Sequence, residues 1–459
     1  MKCSSPESYQ LMMEGSQVFA DMEADGMRVD TSYLRGVIES TGTKIASMEQ
    51  ELKQDEVYAT WRKHFGQKAN LGSRAQLGKI IFDVMRVPSK ETTKTGRPKT
   101  DIEALDDVEF PFVRRWVNCE KLKKVRSTNL VGLLREVDDY GFLHPFFNQH
   151  LVVTHRSSSD HPNFQNQPNR DPKSAKLIRR AIVPRSEDHI LVETDFVGAE
   201  VKGATCYHKD PTMLRYIEEE HDLHLDMAAE LYKLDKSEVS KPIRHVGKNG
   251  FVFPSFYGDW YLSICQALWR AVERDKLTTT SGKSLRQHLN EVGLTELGDL
   301  NMKDGPRSGT FEEHVKQVEE RFWNERFPVY TRWKEDWWNQ YLKRGWYEML
   351  TGFVVKGVYK RNEAINGPVQ GVAYHWLLWS LIPIIRWLKK YKMKTRLVAQ
   401  IHDSLIADVH KDEYQDYMAK VREVMTVDIR KHWPWIITPL AIESEASAVN
   451  WFEKKPVLV

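Results

Sequence analysis

The 459-residue sequence lacks several features that would point to particular classes of protein. Its four cysteines lie far apart and form no Cys-x-x-Cys pair, so neither a disulfide framework nor a cysteine-rich zinc site is indicated, and a reducing cytoplasm is expected. No apolar run reaches the about 20 residues of a membrane span. The most apolar segment, residues 376–388, contains Pro383 and Arg386 and predicts a buried helix. The polar residues 1–6 predict no secretory signal.

An excess of one charge is also lacking, since the formal net charge is only +3. A duplex-binding protein could be more basic, but acidic site residues offset basic faces elsewhere, so local patches decide. Apolar residues make up 41% of the chain, which argues against disorder. The length allows roughly three domain-sized units, and no internal repeat is visible.

Two aspartates near the ends of apolar, strand-like segments are the most informative feature. Asp195 closes the run over residues 189–195, and Asp403 follows His402 in the turn of a hairpin predicted over residues 396–408. Mg²⁺ prefers few carboxylates together with substrate phosphate oxygens, which suits two aspartates on neighbouring strands. A single aspartate at either place is more often a helix or turn cap, so the argument depends on the pair.

A basic helix lies between the two aspartates. Arg244 and Lys248 have i, i+4 spacing and share one helix face, and aromatic residues follow over residues 251–258. Cations followed by aromatics could bind a triphosphate and stack on its base; the alternative is a solvated basic face over an aromatic core. His221 and His224 lack the third ligand of a zinc site, which leaves His224 as a phosphate contact or an ordinary surface histidine.

The chain as a whole is predicted to be mainly helical. Helices are expected over residues 8–60, 76–84, 114–137, 211–270, 311–344, 367–390 and 411–431, and strands over 189–196, 346–359, 396–408 and 436–443. Residues 88–101 carry four Lys or Arg among Gly, Pro and Thr, which predicts a mobile loop that contacts a phosphate backbone or is simply solvated. Residues 141–184 are expected to be irregular, and residues 275–310 to form a surface excursion with one short helix near 285–292.

Many segments, in the same order, resemble the DNA polymerase I family (family A). Residues 19–30 are similar to the start of the polymerase core, and residues 70–78 and 93–97 to thumb signatures. Residues 144–148, 154–168 and 366–371 are similar to primer–template signatures. Residues 195–200, 244–258 and 402–403 resemble motifs A, B and C, and residues 439–451 resemble the C-terminal signature. The resemblance covers nearly the whole chain, and the number of motifs in order makes it specific.

The resemblance implies an α/β (α+β) right-hand polymerase fold, with an antiparallel-sheet palm and a mainly helical thumb and fingers. It assigns the palm to residues 1–30, 131–205 and 346–459, the thumb to residues 31–130 and the fingers to residues 206–345. Because the polymerase core begins close to the N-terminus, no 3′–5′ exonuclease and no proofreading are expected in this chain.

The resemblance also implies template-directed, primer-dependent addition of dNTPs to a primer 3′ end by two-metal phosphoryl transfer. Asp195 and Asp403 would be catalytic and would hold two Mg²⁺ ions, with Mn²⁺ as a substitute, together with the backbone carbonyl of Phe196. The implied nucleotide-binding residues are Glu200, as a steric gate against a ribose 2′-OH, and His224, Arg244, Lys248, Phe253 and Tyr257. The implied primer–template residues are Thr154, Arg156, Asn163, Gln165, Asn366, Gln370 and His402.

The chain departs from the family pattern in motifs A and C and in the primer–template segment. Val197, Gly198 and Lys202 stand where Ser, Gln and Arg are usual. Ser404 replaces the usual Glu of motif C, which puts any role of a third carboxylate in doubt, and His155 stands where Gly is usual.

Motif B is one residue longer than usual between Lys248 and Tyr257. Counting from Lys248 makes Val252 the residue against the sugar and base, whereas counting from Tyr257 makes it Phe253. The flat ring of Phe253 suits that contact better. This variant of the motif resembles that of bacteriophage members.

The expected partners are primer–template DNA and dNTPs, with a separate exonuclease or a processivity factor as further candidates. No membrane partner is expected, and the chain is expected to be a monomer in the cytoplasm, or in the host cytoplasm if the protein is viral. A single-subunit RNA polymerase is an alternative, although Glu200 and residues 154–168 argue against it. A catalytically inactive nucleic-acid-binding homologue is another, which the altered motif A allows and the joint presence of the two aspartates and two cations disfavours.

Overall fold

The structure is a computed structural model that describes residues 5–89, 91–93, 95–168, 171–300 and 305–457. Parts of two predicted loops lie outside the described residues. These are Lys90 and Lys94 of the basic loop over 88–101, and residues 301–304 of the excursion over 275–310. The strands are β1 Met27–Arg28, β2 Phe142–Leu143, β3 Phe146–Asn148, β4 Ser158–Asp160, β5 His189–Phe196, β6 Trp346–Glu348, β7 Val354–Lys356, β8 Arg396–Ile401, β9 Ser404–His410, β10 Ile442–Ser447 and β11 Lys455–Val457.

Helices make up most of the remaining chain. The α-helices are α1 Pro6–Asp25, α2 Thr31–Gln54, α3 Glu56–Phe65, α4 Arg74–Gly78, α5 Ile102–Asp106, α6 Pro111–Lys124, α7 Val131–Glu136, α8 Pro172–Arg179, α9 Ala199–His208, α10 Pro211–Glu218, α11 Leu223–Tyr232, α12 Lys241–Gly247, α13 Phe253–Phe256, α14 Tyr261–Arg274, α15 Leu285–Glu291, α16 Phe311–Arg321, α17 Pro328–Arg344, α18 Arg361–Lys390, α19 Tyr414–Arg422 and α20 Ile429–His432. Segments of π-helix cover Lys79–Val84, Val125–Leu130, Lys248–Val252, Phe322–Arg326 and Glu423–Asp428, and short 3₁₀-helices cover Gly66–Lys68, Lys236–Glu238, Lys411–Glu413 and Trp451–Glu453.

A five-stranded antiparallel sheet forms the centre of the molecule, in the order β11-β10-β5-β9-β8. The central strand β5 pairs with β9 on one side and with β10 on the other. In this register Asp195 lies opposite Ser404 on β9 and opposite Glu443 on β10. The end of β5 therefore meets the start of β9, directly after the β8–β9 turn.

Three buried clusters divide the molecule into a central body and two helical lobes. The central body packs the sheet against α1 and α18, with Trp376 and Phe196 in its core. The N-terminal lobe buries Trp61 and Trp116. The large lobe, between β5 and β6 in the chain, buries Phe251 among other aromatic residues of its helices. Burying apolar area of this kind is the dominant favourable contribution to folding.

Ion pairs join the two lobes. Arg270 on α14 of the large lobe lies 3.2 Å from Asp107 and 3.5 Å from Glu91, both in the N-terminal lobe. Arg274, one turn further along α14, lies 3.7 Å from the same Asp107. The three parts of the molecule are therefore in mutual contact. Among the described residues, no helix has the length and hydropathy to span a bilayer.

The long helix α18 contains two prolines, Pro368 and Pro383, and the structure shows why it continues past the first of them. Pro368 has no N–H to donate to the carbonyl of Ala364, one helical turn earlier. The indole Nε1 of Trp337 donates to that carbonyl instead, at 2.9 Å. This substitute hydrogen bond explains why the helix predicted to start at residue 367 begins at Arg361.

Most of the predicted helices and strands are confirmed, although β1 interrupts the helix predicted over residues 8–60. Besides the start of α18, two predictions are wrong. The last predicted strand, 436–443, instead begins at Ile442. Pro439 cannot donate to a sheet ladder, and Ile436 is buried in the central body outside any strand. The irregular region 141–184 contains helix α8, which Asp171 caps by accepting from the backbone amides of Lys173 and Ser174.

The described part of the basic loop forms a tight hairpin. The backbone N–H of Thr93 donates to the carbonyl of Arg97 at 2.7 Å, and that of Lys99 donates to the carbonyl of Glu91 at 3.0 Å. A contact between this loop and a phosphate backbone stays a prediction. The short helix expected in the excursion is confirmed as α15.

Candidate active site

Asp195 and Asp403 meet at the end of the central sheet. Burial, and after it the negative charge of Asp403, raise the pKa of Asp195. Burial likewise raises the pKa of Asp403. The buried Oδ1 of Asp195 has no hydrogen-bond partner among the described residues. Two largely buried carboxylates that repel each other, with one buried oxygen unpartnered, fit a divalent cation better than any neutral ligand.

Asp195 and Asp403 would supply only two carboxylate ligands to a metal ion. The described residues contain no group of three or more His, Cys, Asp or Glu side chains arranged to hold a metal. Mg²⁺ typically takes one or two carboxylates and completes its shell with water and substrate phosphate oxygens. The site therefore suits a hard cation whose remaining ligands come from a bound substrate. Whether the Phe196 carbonyl joins them stays a prediction; the Phe196 side chain itself is buried.

Polar side chains inside the protein hold the turn that carries Asp403. His402 has a left-handed backbone, with φ of +55°. The amide nitrogen of Gln400 donates to the His402 carbonyl at 2.6 Å. The amide oxygen of Gln400 accepts from the hydroxyl of Ser157 at 2.7 Å and from the amide of Gln165 at 2.8 Å. Sequence reasoning missed Gln400 and Ser157, although a polar residue in the apolar run of β8 was a signal.

Three segments that are distant in sequence converge on Glu200. The guanidinium of Arg156 donates to Glu200 at 2.5 Å and, through Nε, to the carbonyl of Gln370 at 3.1 Å. The phenol of Tyr257 also donates to Glu200. Burial, and after it the charge of Glu200, raise the pKa of Tyr257, so this phenol keeps its proton at neutral pH. Arg156 and Glu200 both lie close enough to Asp403 to affect its pKa, which joins this cluster to the aspartates.

The extra residue of the basic helix is accommodated by a π-helical turn. Residues Lys248–Val252 form i→i+5 hydrogen bonds between α12 and α13, and such a turn adds one residue to a helix without breaking it. Arg244, Lys248, Phe253 and Tyr257 are therefore spaced by four, five and four residues and follow one face. The Lys248 ammonium lies 5.0 Å from the centre of the Phe253 ring.

Phe253 and Val252 occupy different environments. Val252 is fully buried in the core of the large lobe, whereas Phe253 is half-buried and lines a cavity. The side chains of Lys248 and Tyr257 lie beside the Phe253 ring, and both belong to the helix face that carries Arg244. Their arrangement favours Phe253 over Val252 as the residue that faces a ligand.

Arg244 and His224 lie beside Lys248 on the large lobe. Arg244 forms a two-pronged ion pair with Asp222, at 2.7 and 3.0 Å. His224 packs edge-on against Phe253, with ring centres 5.7 Å apart. Burial, followed by the charges of Lys248 and Arg244, lowers the pKa of His224 to about 4, so its imidazole is neutral at pH 7. A neutral imidazole can donate one hydrogen bond to a phosphate but supplies no charge.

A small cavity, with about 40 Å³ of space for water-sized molecules, lies between α9, α13, α17 and α18. Glu200, Phe253, Tyr257 and Gln370 line it together with mostly apolar side chains. The proposed nucleotide-binding residues of two different segments thus share one partly enclosed space. Mostly apolar pockets with a few polar groups are typical of small-molecule sites.

The predicted primer–template residues are scattered around this cluster. Asn366 donates from its amide to the carbonyl of Tyr257 at 2.8 Å, and Asn163 is exposed in a turn. Gln165 is buried, and its amide donates to Ser157 at 2.8 Å as well as to Gln400. The structure therefore gives Gln165 an internal role in holding β8, and a direct contact with DNA stays a prediction.

The close approach of α18 to the primer–template segment depends on Gly371. A Cβ added at Gly371 would lie 2.7 Å from the backbone carbonyl of Thr154 and 2.6 Å from the sulfur of Met349. His155, the residue after Thr154, has a left-handed backbone with φ of +58°. This conformation explains why glycine suits the position in the family pattern. The His155 imidazole is buried and packs 5.0 Å from the Phe353 ring.

Two further carboxylates near Asp195 were not predicted. Glu443, on β10, lies directly opposite Asp195 on the neighbouring strand β5 and is exposed. Glu193 lies on β5 two residues before Asp195 and is held by Trp451 and Lys454. Both add negative charge near Asp195 and contribute to raising its pKa. Glu193 shares a face of β5 with Asp195 through strand alternation, whereas the proximity of Glu443 arises only from the register of β5 and β10.

The sequence profile of DNA polymerase family A matches residues 40–278 and 347–453. The chain belongs to this family. Among curated relatives, DNA polymerase I of Lactococcus lactis subsp. cremoris is 25% identical over 454 residues, covering 96% of this chain and 45% of the relative. The thermostable DNA polymerase I of Thermus thermophilus is 28% identical over 444 residues, covering 93% of this chain and 46% of the relative. The chain thus spans a little under half the length of these relatives.

A solved structure with the same fold is the POL domain of Pol1 from M. smegmatis in complex with DNA primer-template and dNTP. The TM-score is 0.76 at 22% sequence identity, covering 96% of this chain and 70% of that one. This match confirms the right-hand polymerase fold. The assignment of palm, thumb and fingers to the central body and the two lobes stays a prediction. The family profile leaves residues 279–346 unmatched, a range that includes most of the excursion and helices α15 to α17.

Proposed function

We propose that this family A protein is a template-directed, primer-dependent DNA polymerase that adds dNTPs to a primer 3′ end. One observation carries the proposal: Asp195 and Asp403 meet at the end of the palm sheet and leave a buried carboxylate oxygen unpartnered. The curated relatives are named DNA polymerase I, and the similar solved structure is described as a complex with DNA primer-template and dNTP. The proposed partners are therefore primer–template DNA and dNTPs.

The carboxylate pair is the proposed metal site. Divalent ions are used by family A DNA polymerases, and two Mg²⁺ ions, with Mn²⁺ as substitute, are the proposed cofactors here. Bound there, they would supply Lewis-acid activation of the primer 3′-hydroxyl and neutralise charge on the phosphates. Asp195 and Asp403 would hold the ions through side-chain oxygens, and the Phe196 carbonyl is proposed as a further ligand. The reaction joins the primer 3′ oxygen to the α-phosphorus of the dNTP and releases pyrophosphate.

The basic face of the fingers is the proposed triphosphate site. Lys248 has no carboxylate within ion-pairing distance among the described residues, so its charge is available to a phosphate. Arg244 forms an ion pair with Asp222, and this ion pair holds the guanidinium in place before a nucleotide binds. The neutral His224 would donate a hydrogen bond to a phosphate oxygen. Phe253 would then pack against the sugar and base.

Glu200 is the proposed steric gate. Its carboxylate is fixed by Arg156 and Tyr257, so it cannot swing aside easily to admit a 2′-hydroxyl. This fixed carboxylate supports a preference for dNTPs over rNTPs and disfavours the RNA polymerase alternative. Thr154, Arg156, Asn163, Gln165, Asn366, Gln370 and His402 are the proposed primer–template residues.

The domain division is part of the same proposal. The palm would comprise residues 1–30, 131–205 and 346–459, the thumb residues 31–130 and the fingers residues 206–345. The separate buried clusters of the two lobes support it. The protein is proposed to act as a monomer in the cytoplasm, or in the host cytoplasm if it is viral, with a separate exonuclease or processivity factor as a candidate partner.

Primer extension on a defined template tests the proposal. The wild-type protein should extend the primer with dNTPs and Mg²⁺, and Asp403→Ala should remove incorporation while duplex binding survives. Near-wild-type extension by Asp403→Ala would refute the assignment of the site. Glu200→Ala should raise rNTP incorporation relative to dNTP incorporation; an unchanged ratio would contradict the steric gate.

A further inference from the structure

A half-buried carboxylate outside the proposed metal and nucleotide sites, that of Glu193, lies next to the β8–β9 turn. Glu193 precedes Asp195 by two residues on β5, so both side chains are on the same face of the sheet. The Oε1 atom of Glu193 accepts a hydrogen bond from the hydroxyl of Ser404 at 3.1 Å. Ser404 is the residue directly after Asp403 and the first residue of β9. A single hydrogen bond therefore connects Glu193 with the end of the turn that carries Asp403.

The C-terminal segment holds the other oxygen of Glu193. The indole Nε1 of Trp451 donates to Oε2 at 2.6 Å, and the Lys454 ammonium forms an ion pair with the same atom. The Lys454 side chain is only 8% exposed and also lies 3.1 Å from Glu445 on β10. Arg179 stacks 4.0 Å from the centre of the fully buried Trp451 ring. Charge-assisted hydrogen bonds to a carboxylate are strong, so Glu193 is held firmly.

Ser404 joins both ends of the turn. The single proton of the Ser404 hydroxyl is shared between two acceptors, Glu193 and the carbonyl of Ile401, the last residue of β8, which also lies 3.1 Å away. Between Ile401 and Ser404, His402 has a left-handed backbone, a conformation that is unfavourable for a residue other than glycine and persists only when its surroundings hold it. Gln400 holds the His402 carbonyl from inside the protein. Ser404 and Glu193 hold the turn from the β5 side.

We propose that Glu193 and Ser404 are positioning residues that fix the β8–β9 turn and thereby direct Asp403 towards Asp195. The inference rests on the proposed function, because it assigns the turn a role in that reaction. The C-terminal residues Trp451 and Lys454 take part indirectly, by fixing the Glu193 carboxylate. Neither Glu193 nor Ser404 needs to touch the substrate for this role.

The test measures kcat and KM in primer extension for variants that remove or keep one buried hydroxyl group. Ser404→Ala should lower kcat about tenfold or more, because a small misplacement of a reacting group has effects of this size. The KM for dNTP and the affinity for primer–template should stay unchanged, since the Ser404 hydroxyl contacts Glu193 and Ile401 and none of the proposed nucleotide residues. Ser404→Thr keeps a hydroxyl on a residue type that suits strands and should retain kcat within about twofold. Ser380→Ala, which removes another buried hydroxyl bonded within α18, is the control and should leave kcat unchanged.

A double-mutant cycle tests whether Glu193 acts through Ser404. Glu193→Gln should lower kcat less than Ser404→Ala does, because an amide oxygen can still accept from the hydroxyl. The Glu193→Gln/Ser404→Ala double variant should have the kcat of Ser404→Ala alone. Losses that multiply, a Ser404→Thr variant as slow as Ser404→Ala, or a Ser404→Ala variant with at least half of the wild-type kcat would each overturn the proposal.

Two controls keep this result separate from the proposed function. An inactive wild-type protein, or an active Asp403→Ala variant, would overturn the function itself. With an active wild type and an inactive Asp403→Ala variant, the function stands and the Ser404 comparison decides the positioning role alone. The thermal midpoint and the fraction of active molecules are measured for every variant. A Ser404→Ala loss that disappears after correction for the active fraction would overturn the positioning role, since it would reflect stability only.

Discussion

The repulsion between the two buried aspartates should make the metal-free protein less stable than a variant that lacks one of the charges. Burial and the charge of Asp403 raise the pKa of Asp195 from 3.8 to about 8. The folded protein then binds this proton more tightly than the unfolded chain, so stability falls as the pH rises through the interval between these values. At pH 8.5 or above, in the absence of metal, most of this cost is present. Asp403→Asn removes one of the two charges and should relieve part of it.

The magnitude follows from the value of a pKa shift. One pKa unit corresponds to about 1.4 kcal/mol. Since burial is the larger cause of this shift, Asp403→Asn should relieve only the smaller part of it, which is on the order of 1–3 kcal/mol of added stability. A free-energy change of 1 kcal/mol moves the thermal midpoint by about 2–4 °C in a domain of moderate size. A rise of several degrees is therefore expected, together with the loss of polymerase activity.

Thermal unfolding in EDTA and in Mg²⁺ measures both halves of this prediction. In EDTA the variant should unfold at a higher temperature than the wild type. Mg²⁺ should raise the midpoint of the wild type and have a smaller effect on the variant, because binding to the folded state alone stabilises it. Asp139→Asn, at an exposed aspartate in a loop, is the matched control and should change neither midpoint. An Asp403→Asn protein that unfolds at or below the wild-type temperature in EDTA would refute the reasoning.

Three further changes test the packing and the nucleotide face. Gly371→Ala should lower the thermal midpoint by an amount equivalent to about 1–3 kcal/mol, because its Cβ would press on the Thr154 carbonyl. Trp337→Phe should cost about 1–3 kcal/mol in thermal or denaturant unfolding, since it leaves the Ala364 carbonyl without its indole donor. Phe253→Ala should raise the KM for dNTP in steady-state primer extension with little change in the thermal midpoint.

The Gly371 and Phe253 changes each have a matched control. Gly132→Ala introduces a methyl group where no described atom lies within 4 Å, so its midpoint should stay the same or rise. Equal losses for Gly132→Ala and Gly371→Ala would contradict the close approach to Thr154. Val252→Ala should lower stability and leave the dNTP KM unchanged. The opposite pattern for Val252 and Phe253 would assign the nucleotide contact to Val252.

The pairing of Asp195 with Asp403 could be predicted because each residue carries its own local signal. An apolar strand ends at the first aspartate, and an alternating hairpin presents the second in its turn. Their meeting followed from the family resemblance, and the register of β5 and β9 confirms it. The Glu193 carboxylate could not be found in this way, because its partners Trp451 and Lys454 are distant in sequence and meet it only in the folded protein.

Errors in the secondary structure arose where a tertiary contact replaced a local signal. The sequence Asn-Gly-Pro at residues 366–368 is typical of a turn, yet it lies inside α18 because Trp337 supplies the donor that Pro368 lacks. The apolar residues from Ile436 onward suggest a strand, but Ile436 is buried by packing alone. Local preferences are weak compared with such contacts, so both segments followed the packing of the central body.

The extra residue in the basic helix shows how a change in sequence length can leave a site intact. In an uninterrupted α-helix, adding one residue after Lys248 would rotate Tyr257 by about 100° away from the face of Arg244. The π-helical turn over Lys248–Val252 takes up that residue before Phe253. The phenol of Tyr257 therefore still reaches Glu200, and the ring of Phe253 still lies beside Lys248. The same turn explains why alignment by Lys248 points to the buried Val252, whereas alignment by Tyr257 points to the accessible ring.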